Sequence, residues 1–181
     1  LLALPLVAAC GGSDDDPAPP APTQTVIGTI SGFGSVVVNG IRFDDSAASV
    51  SLDDASVTRD RLRVGMVVQV RGRVDGATGS GVASSIQFND CVQGPITAMN
   101  QAQNTVTVLG QTVQVDDDTV FDGVTLRDMN GFAIGDQVEV SCLRDAANNR
   151  IRATRMERLG AFQNGTSEVE VKGVVANLNL T

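Results

Sequence analysis

The chain repeats itself, and the repeat limits what it can build. Val26-Ile27-Gly28-Thr29-Ile30 returns as Val92-Gln93-Gly94-Pro95-Ile96, and its opening returns once more as Val171-Lys172-Gly173-Val174-Val175. A second signature, Leu62-Arg63-Val64-Gly65 running on to Val70, returns as Phe132-Ala133-Ile134-Gly135 running on to Val140. A third pairs Val82-Ala83 with Arg152-Ala153. The markers keep their order, with 37 residues from Gly28 to Gly65 and 41 from Gly94 to Gly135. Self-similarity at a fixed period marks stacked copies of one structural unit. The 181 residues therefore divide into repeat 1 over 25–90, repeat 2 over 91–160, and a linker with the start of a third copy over 161–181. The third copy is expected to be cut short.

Each full copy offers five strand candidates. In the first they are Thr25–Ile30, Ser35–Val38, Ile41–Phe43, Met66–Val74 and Val82–Phe88. In the second they are Val92–Met99, Thr105–Leu109, Thr112–Val115, Gln137–Leu143 and Ile151–Met156. Asn39-Gly40 between two strand-like runs is a type I′ hairpin signal. About 20 less regular residues, 44–64 and 116–134, separate the third and fourth strands and are expected to hold a short helix or turn. Val and Thr, stiff at χ1, suit such strands. The expected fold is all-β: tandem small five-stranded Greek-key barrels of the OB type, closed so that no edge stays open. A pair of open meanders packed as a sandwich is the alternative.

The first 24 residues have another character. Leu1 to Ala9 is an apolar run too short to cross a bilayer, which takes about 20 residues, and it reads as the end of a signal peptide over 1–9. Val7-Ala8-Ala9-Cys10 resembles a bacterial lipobox. The resemblance implies that Cys10 carries the lipid as the first mature residue, several acyl chains holding where one would not. Gly11 in place of an aspartate favours the outer membrane. Residues 10–24 then form a tether, with four of the chain's six prolines and Asp14-Asp15-Asp16. Such a stretch buries too little apolar surface to fold and serves as a spacer.

The Val-x-Gly-x-Ile opening, the Asn-Gly hairpin and the Gly-x-x-Val-x-Val fourth strand also resemble repeat modules of proteobacterial envelope lipoproteins. That family carries a domain-of-unknown-function label. The resemblance covers Thr25 onward and implies the barrel fold, with no catalytic residue to carry over.

Chemistry is sparse. The net charge is −8 and the pI near 4.4; nucleic acid, held through neutralised phosphates, is not an expected partner. There is no histidine, which removes the Ser-His-Asp arrangement and most zinc sites. Cys91 just precedes the first strand of the second copy and Cys142 lies in its fourth, neighbours in an OB-type barrel, so a disulfide is expected in an oxidising compartment; two free buried thiols or a redox pair are the competing readings. Acidic clusters at Asp44-Asp45, Asp53-Asp54 and Asp116-Asp117-Asp118 with Asp122 lack EF-hand spacing, so no metal and no cofactor is expected. Arg71 with Arg73, and Arg150 with Arg152, share strand faces by alternation. Together with Arg42 on the face of strands two and three, they are the candidate contacts for an anionic glycan or lipid head group.

The expected function is that of a non-enzymatic outer-envelope lipoprotein. Its barrels bind or scaffold an envelope protein or glycan, and the lipid supplies the membrane contact. A carbohydrate-active hydrolase would need paired carboxylates across a cleft, such as Asp45 with Asp54 or Asp116 with Asp122. A purely structural stalk is the third reading.

Overall fold

The computed structural model describes residues 22–145 and 150–172. Cys10, the leader over 1–9, most of the tether and the chain from Gly173 onward lie outside the described residues. In the first repeat β1 (Thr23–Gly32), β2 (Val36–Val38) and β3 (Ile41–Asp44) form an antiparallel meander. A short hairpin of β4 (Ser49–Leu52) and β5 (Ala55–Val57) follows, then β6 (Val67–Asp75) and β7 (Ser80–Phe88). The first half of β1 pairs antiparallel with β6, its far end with β2, and β7 returns parallel to β3. The strand order β3-β2-β1-β6-β7 thus closes on itself through β3–β7, the five-stranded Greek-key closure of an OB-type barrel.

The second repeat repeats the plan. Its strands are β8 (Val92–Asn100), β9 (Thr105–Val108), β10 (Gln111–Gln114), β11 (Val120–Asp122), β12 (Asp136–Asp145) and β13 (Arg150–Ala161). The order is β10-β9-β8-β12-β13, closed by parallel β10–β13 pairing. A two-residue β14 (Glu170–Val171) adds to the start of β8, with Val171 opposite Val92.

Period-two alternation explains which side chains fill each barrel. Along β6, Val68 and Val70 are fully buried while Arg71 and Arg73 face out. Ile30, Val36, Val38, Phe43, Ile86 and Phe88 complete that core; Ile96, Val106, Val108, Val138, Val140 and Met156 are their counterparts in the second barrel.

The repeated opening glycine has a packing reason. A Cβ on Gly28 would lie 2.2 Å from Asn39 Oδ1, and one on Gly94 would lie 2.7 Å from Leu109 Cγ. In both barrels the first residue of the β2–β3-type turn folds back over the first strand and fills the space a side chain would take. Asn39 and Gly40 have φ of 52° and 78°, as a type I′ turn requires. Leu109 and Gly110, at 46° and 74°, make the same turn with a residue that rarely adopts it.

The irregular stretches, expected to hold a short helix or turn, hold a 3₁₀ turn each and short strands besides. Residues 44–64 hold the β4–β5 hairpin and one 3₁₀ turn at Arg59–Arg61; 116–134 hold β11 and a 3₁₀ turn at Met129–Gly131. Both β4 and β11 add parallel to the last strand of their barrel, so the connection is spent on widening the sheet.

Candidate functional site

The two barrels meet at a corner of the first and an outer face of the second. Gly65, at the entry to β6, sits so close that a Cβ would lie 2.8 Å from the Thr154 carbonyl oxygen and 3.1 Å from Val120 Cβ. The Val67 amide donates to Ser141 Oγ at 2.7 Å. Beside this contact lies a cleft of about 350 Å³, walled by Ile30, Val64, Val120 and Leu143, with Arg152 and Thr154 as polar lining. The Thr154 hydroxyl is buried without a hydrogen-bond partner among the described residues. The volume falls at the lower end of the range typical of ligand pockets. A smaller hollow of about 200 Å³ opens at the end of the second barrel, between Gln101, Asn104, Phe121 and Asn130.

At the same junction Lys172, the chain's only lysine, ends inside a triangle of carboxylates. Its ammonium stands 2.7 Å from Asp53 Oδ1, 2.9 Å from Asp90 Oδ1 and 2.7 Å from Glu170 Oε1. The three acids come from the β4–β5 turn, the link between barrels and β14. Asp53 and Asp54 both have positive φ, 45° and 65°, which Asp tolerates better than most residues; Asp53 Oδ1 also accepts the Asp90 amide at 3.1 Å. The Asp90 side chain is wholly buried, and its Oδ2 has no partner among the described residues. Burial pushes the Asp90 carboxyl up to about 6 against the pull of Lys172. Lys172 itself is held above its ordinary value, its three ion pairs outweighing its own burial.

Glu139 on β12 lies between Gln93 and Glu157 in register. Burial, with Glu157, Asp53 and Asp90 crowding it, pushes its carboxyl up to about 7. Arg155, 3% exposed, ties Asp122 at 2.5 Å to Glu157 at 2.8 Å. The junction therefore gathers six acids, Asp53, Asp90, Asp122, Glu139, Glu157 and Glu170, around two cations, Lys172 and Arg155.

The sequence candidates scatter. Arg42, on β3, and Arg71 and Arg73, on β6, point outward and exposed. Arg150 begins β13, and its side chain is outside what the structure describes. Of those described, Arg152 reaches the inter-barrel cleft, held by Asp116 at 2.5 Å and Asp118 at 2.7 Å. Its hydrogen bond keeps the Asp116 carboxyl below the usual range, and Arg155 does the same for Asp122. Asp45 pairs with Arg59 at 3.4 Å and Asp54 with Gln87 at 3.3 Å. The disulfide is present: Cys91 and Cys142 are bonded, with Cα atoms 5.8 Å apart, joining the link before β8 to β12. Sequence reasoning missed Asp90, Glu139, Glu170 and Lys172. The one signal that marked the place was a lone lysine among thirteen basic residues.

Tandem closed five-stranded barrels fused through one outer face define a class of small β-barrel repeat proteins. The chain belongs to the family described as domain of unknown function DUF5666, whose profile matches residues 25–87 and again 93–157. No curated protein and no solved structure matches the chain.

Proposed function

We propose that the chain is a non-enzymatic envelope lipoprotein, anchored at the outer membrane through Cys10, whose fused barrels act as a binding or scaffolding module. The observation that carries this reading is the junction: the barrels touch at Gly65 and Val67, and a recess walled by Ile30, Val64, Val120 and Leu143 opens beside that contact. A stalk needs no such recess. The hydrolase reading needs a carboxylic acid able to carry a proton near neutrality. Arginines hold Asp116 and Asp122, a pair that reading would use, ionised instead, so that pair does not supply the acid. The partner expected is an envelope protein or a glycan rather than a nucleic acid.

The test is a thermal-shift array of the purified chain against glycans and fractionated envelope extracts. A ligand that favours the folded state raises the midpoint; a rise of several degrees for one class supports recognition. Leu143→Asp, at the cleft wall, should abolish that rise. A rise that survives Leu143→Asp moves binding away from the cleft, and a flat array with Cys10→Ser still membrane-bound removes both halves of the reading.

A further inference from the structure

Lys172 has three donors and spends one on each of three carboxylates, so it satisfies one oxygen of each acid and leaves the second. For two of the acids solvent can do the rest. Asp90 is buried away from water, and its Oδ2 is left with nothing. A buried anionic oxygen without a donor is costly, and it identifies the geometry as one that a different occupant would suit better. The candidate ligand atoms of Asp53, Asp90 and Glu170 all lie within 4.8 Å of one another. Ca²⁺ takes six to eight oxygens at about 2.3–2.6 Å, and carboxylates serve it in bidentate fashion. The ammonium-to-oxygen spacing of 2.7–2.9 Å is a few tenths of an ångström wider, so a small contraction suffices. Charge points the same way: one ammonium against three carboxylates leaves a deficit, and Glu139 and Glu157 lie behind it.

We propose that the Asp53–Asp90–Glu170 triangle is a cation-exchange site, taking up one divalent cation of the Ca²⁺ type in place of the Lys172 ammonium. Asp90 uses both oxygens on the ion, which supplies the partner Oδ2 lacks. Asp53 and Glu170 complete the set with water. Lysine suits the role of a displaceable occupant because its charge is a compact point on a flexible stem, where an arginine carries a rigid planar fork. Displacement frees Lys172 from the junction. Mg²⁺, which demands a tight octahedron and keeps its waters, is a poorer substitute.

The experiment exploits the lone lysine. The full chain is stripped with EDTA and titrated with Ca²⁺, reading the binding isotherm and, by mass spectrometry, acylation of the Lys172 amine. One ion per chain is expected, with an affinity on the order of 10⁻⁴–10⁻³ M, as in extracellular calcium modules. Acylation of Lys172 should rise several-fold with the same midpoint, and Mg²⁺ at equal concentration should do little. Lys172→Met removes the competitor and should tighten Ca²⁺ at least tenfold; Asp90→Asn should weaken it at least tenfold. A gain in affinity cannot come from misfolding, so Lys172→Met keeps the test sharp if Asp90→Asn folds poorly. The proposal is overturned by no uptake below about 10 mM, by binding that Lys172→Met leaves unchanged, or by Lys172 acylation that stays flat as the ion binds.

Discussion

Gly65 and Gly135 occupy the same place in the two barrels, and replacing each with alanine separates backbone strain from barrel docking. Their φ values are +90° and +93°, so an alanine meets the same conformational penalty at either site, about 1–2 kcal/mol. Around Gly135 the described residues leave the Cβ position open to 4 Å. Around Gly65 the Cβ meets the Thr154 carbonyl oxygen at 2.8 Å, Arg155 Cβ at 3.0 Å and Val120 Cβ at 3.1 Å. None of these is the flexible tip of a side chain. They are backbone or Cβ atoms of strands, so relief requires the barrels to part. Overpacking of that kind costs about 1–3 kcal/mol, and parting also strains the Val67–Ser141 hydrogen bond. Gly135→Ala should therefore cost about 1–2 kcal/mol and Gly65→Ala about 2–5 kcal/mol. With no Trp or Tyr in the chain, the readout is urea unfolding followed by far-ultraviolet circular dichroism. Equal costs for the two variants would refute the argument, because the second barrel would then contribute nothing at Gly65.

Three further outcomes follow from the same structure. Reducing the Cys91–Cys142 bond, which spans 51 positions, should cost about 4 kcal/mol on the chain-entropy model; a urea midpoint indifferent to dithiothreitol would contradict this. The Glu139 carboxyl is raised from 4.5 to about 7 by burial and by Glu157, Asp53 and Asp90, with Arg155 opposing, so the folded state binds the extra proton. Its contribution is full below about pH 4.5 and lost as pH rises through 7, at most about 3 kcal/mol. In EDTA the fall in stability over that window should flatten in Glu139→Gln, and an unchanged slope would count against it. Asn39→Ala removes the bond from Asn39 Nδ2 to the Ile27 carbonyl at 2.9 Å and puts alanine at φ +52°; a loss of about 1–2 kcal/mol is expected in thermal melts.

The barrels were legible because their code is local. Alternating valines fix which face is buried, and Asn39-Gly40 fixes one turn chemically. Leu109-Gly110 makes the same turn without a turn-forming residue, held by leucine packing over Gly94, and could be read only through its repeat partner. The β4–β5 hairpin escaped notice because its strands are three and four residues long and its tip is Asp53-Asp54, with no glycine. The junction escaped for a different reason. Its contacts join residues far apart in the chain, such as Val67 with Ser141, 74 positions on, and Asp53 with Lys172, 119 positions on, and no periodicity records a pairing between units. Arg42, Arg71 and Arg73 do lie exposed on their strands, but which outward face would be covered depended on the second barrel's position.

Where the copies agree they specify the barrel, and where they diverge they specify the docking. The fourth strand of the first barrel carries Arg71 and Arg73 on its exposed face; the second barrel has Ser141 and Leu143 at those places. Ser141 is 1% exposed and takes the Val67 amide, a contact that a long charged side chain would obstruct. Leu143 walls the cleft, and Arg152 beside it is held by Asp116 and Asp118. In the first barrel the corresponding cross-strand pair is Arg73 with Val82, both open to solvent. The bulge position that is Gly72 in one copy is Cys142 in the other, where the disulfide locks the link between units to β12. The variable residue of the Val-x-Gly opening follows the same logic: it is Ile27, then Gln93, then Lys172. Only the last is charged, and it alone reaches back to acids of the first barrel and the link. One barrel plan has thus been edited at a handful of outward positions so that the first unit has a corner to offer, the second a face to receive it, and the strand after them an ammonium to close the joint.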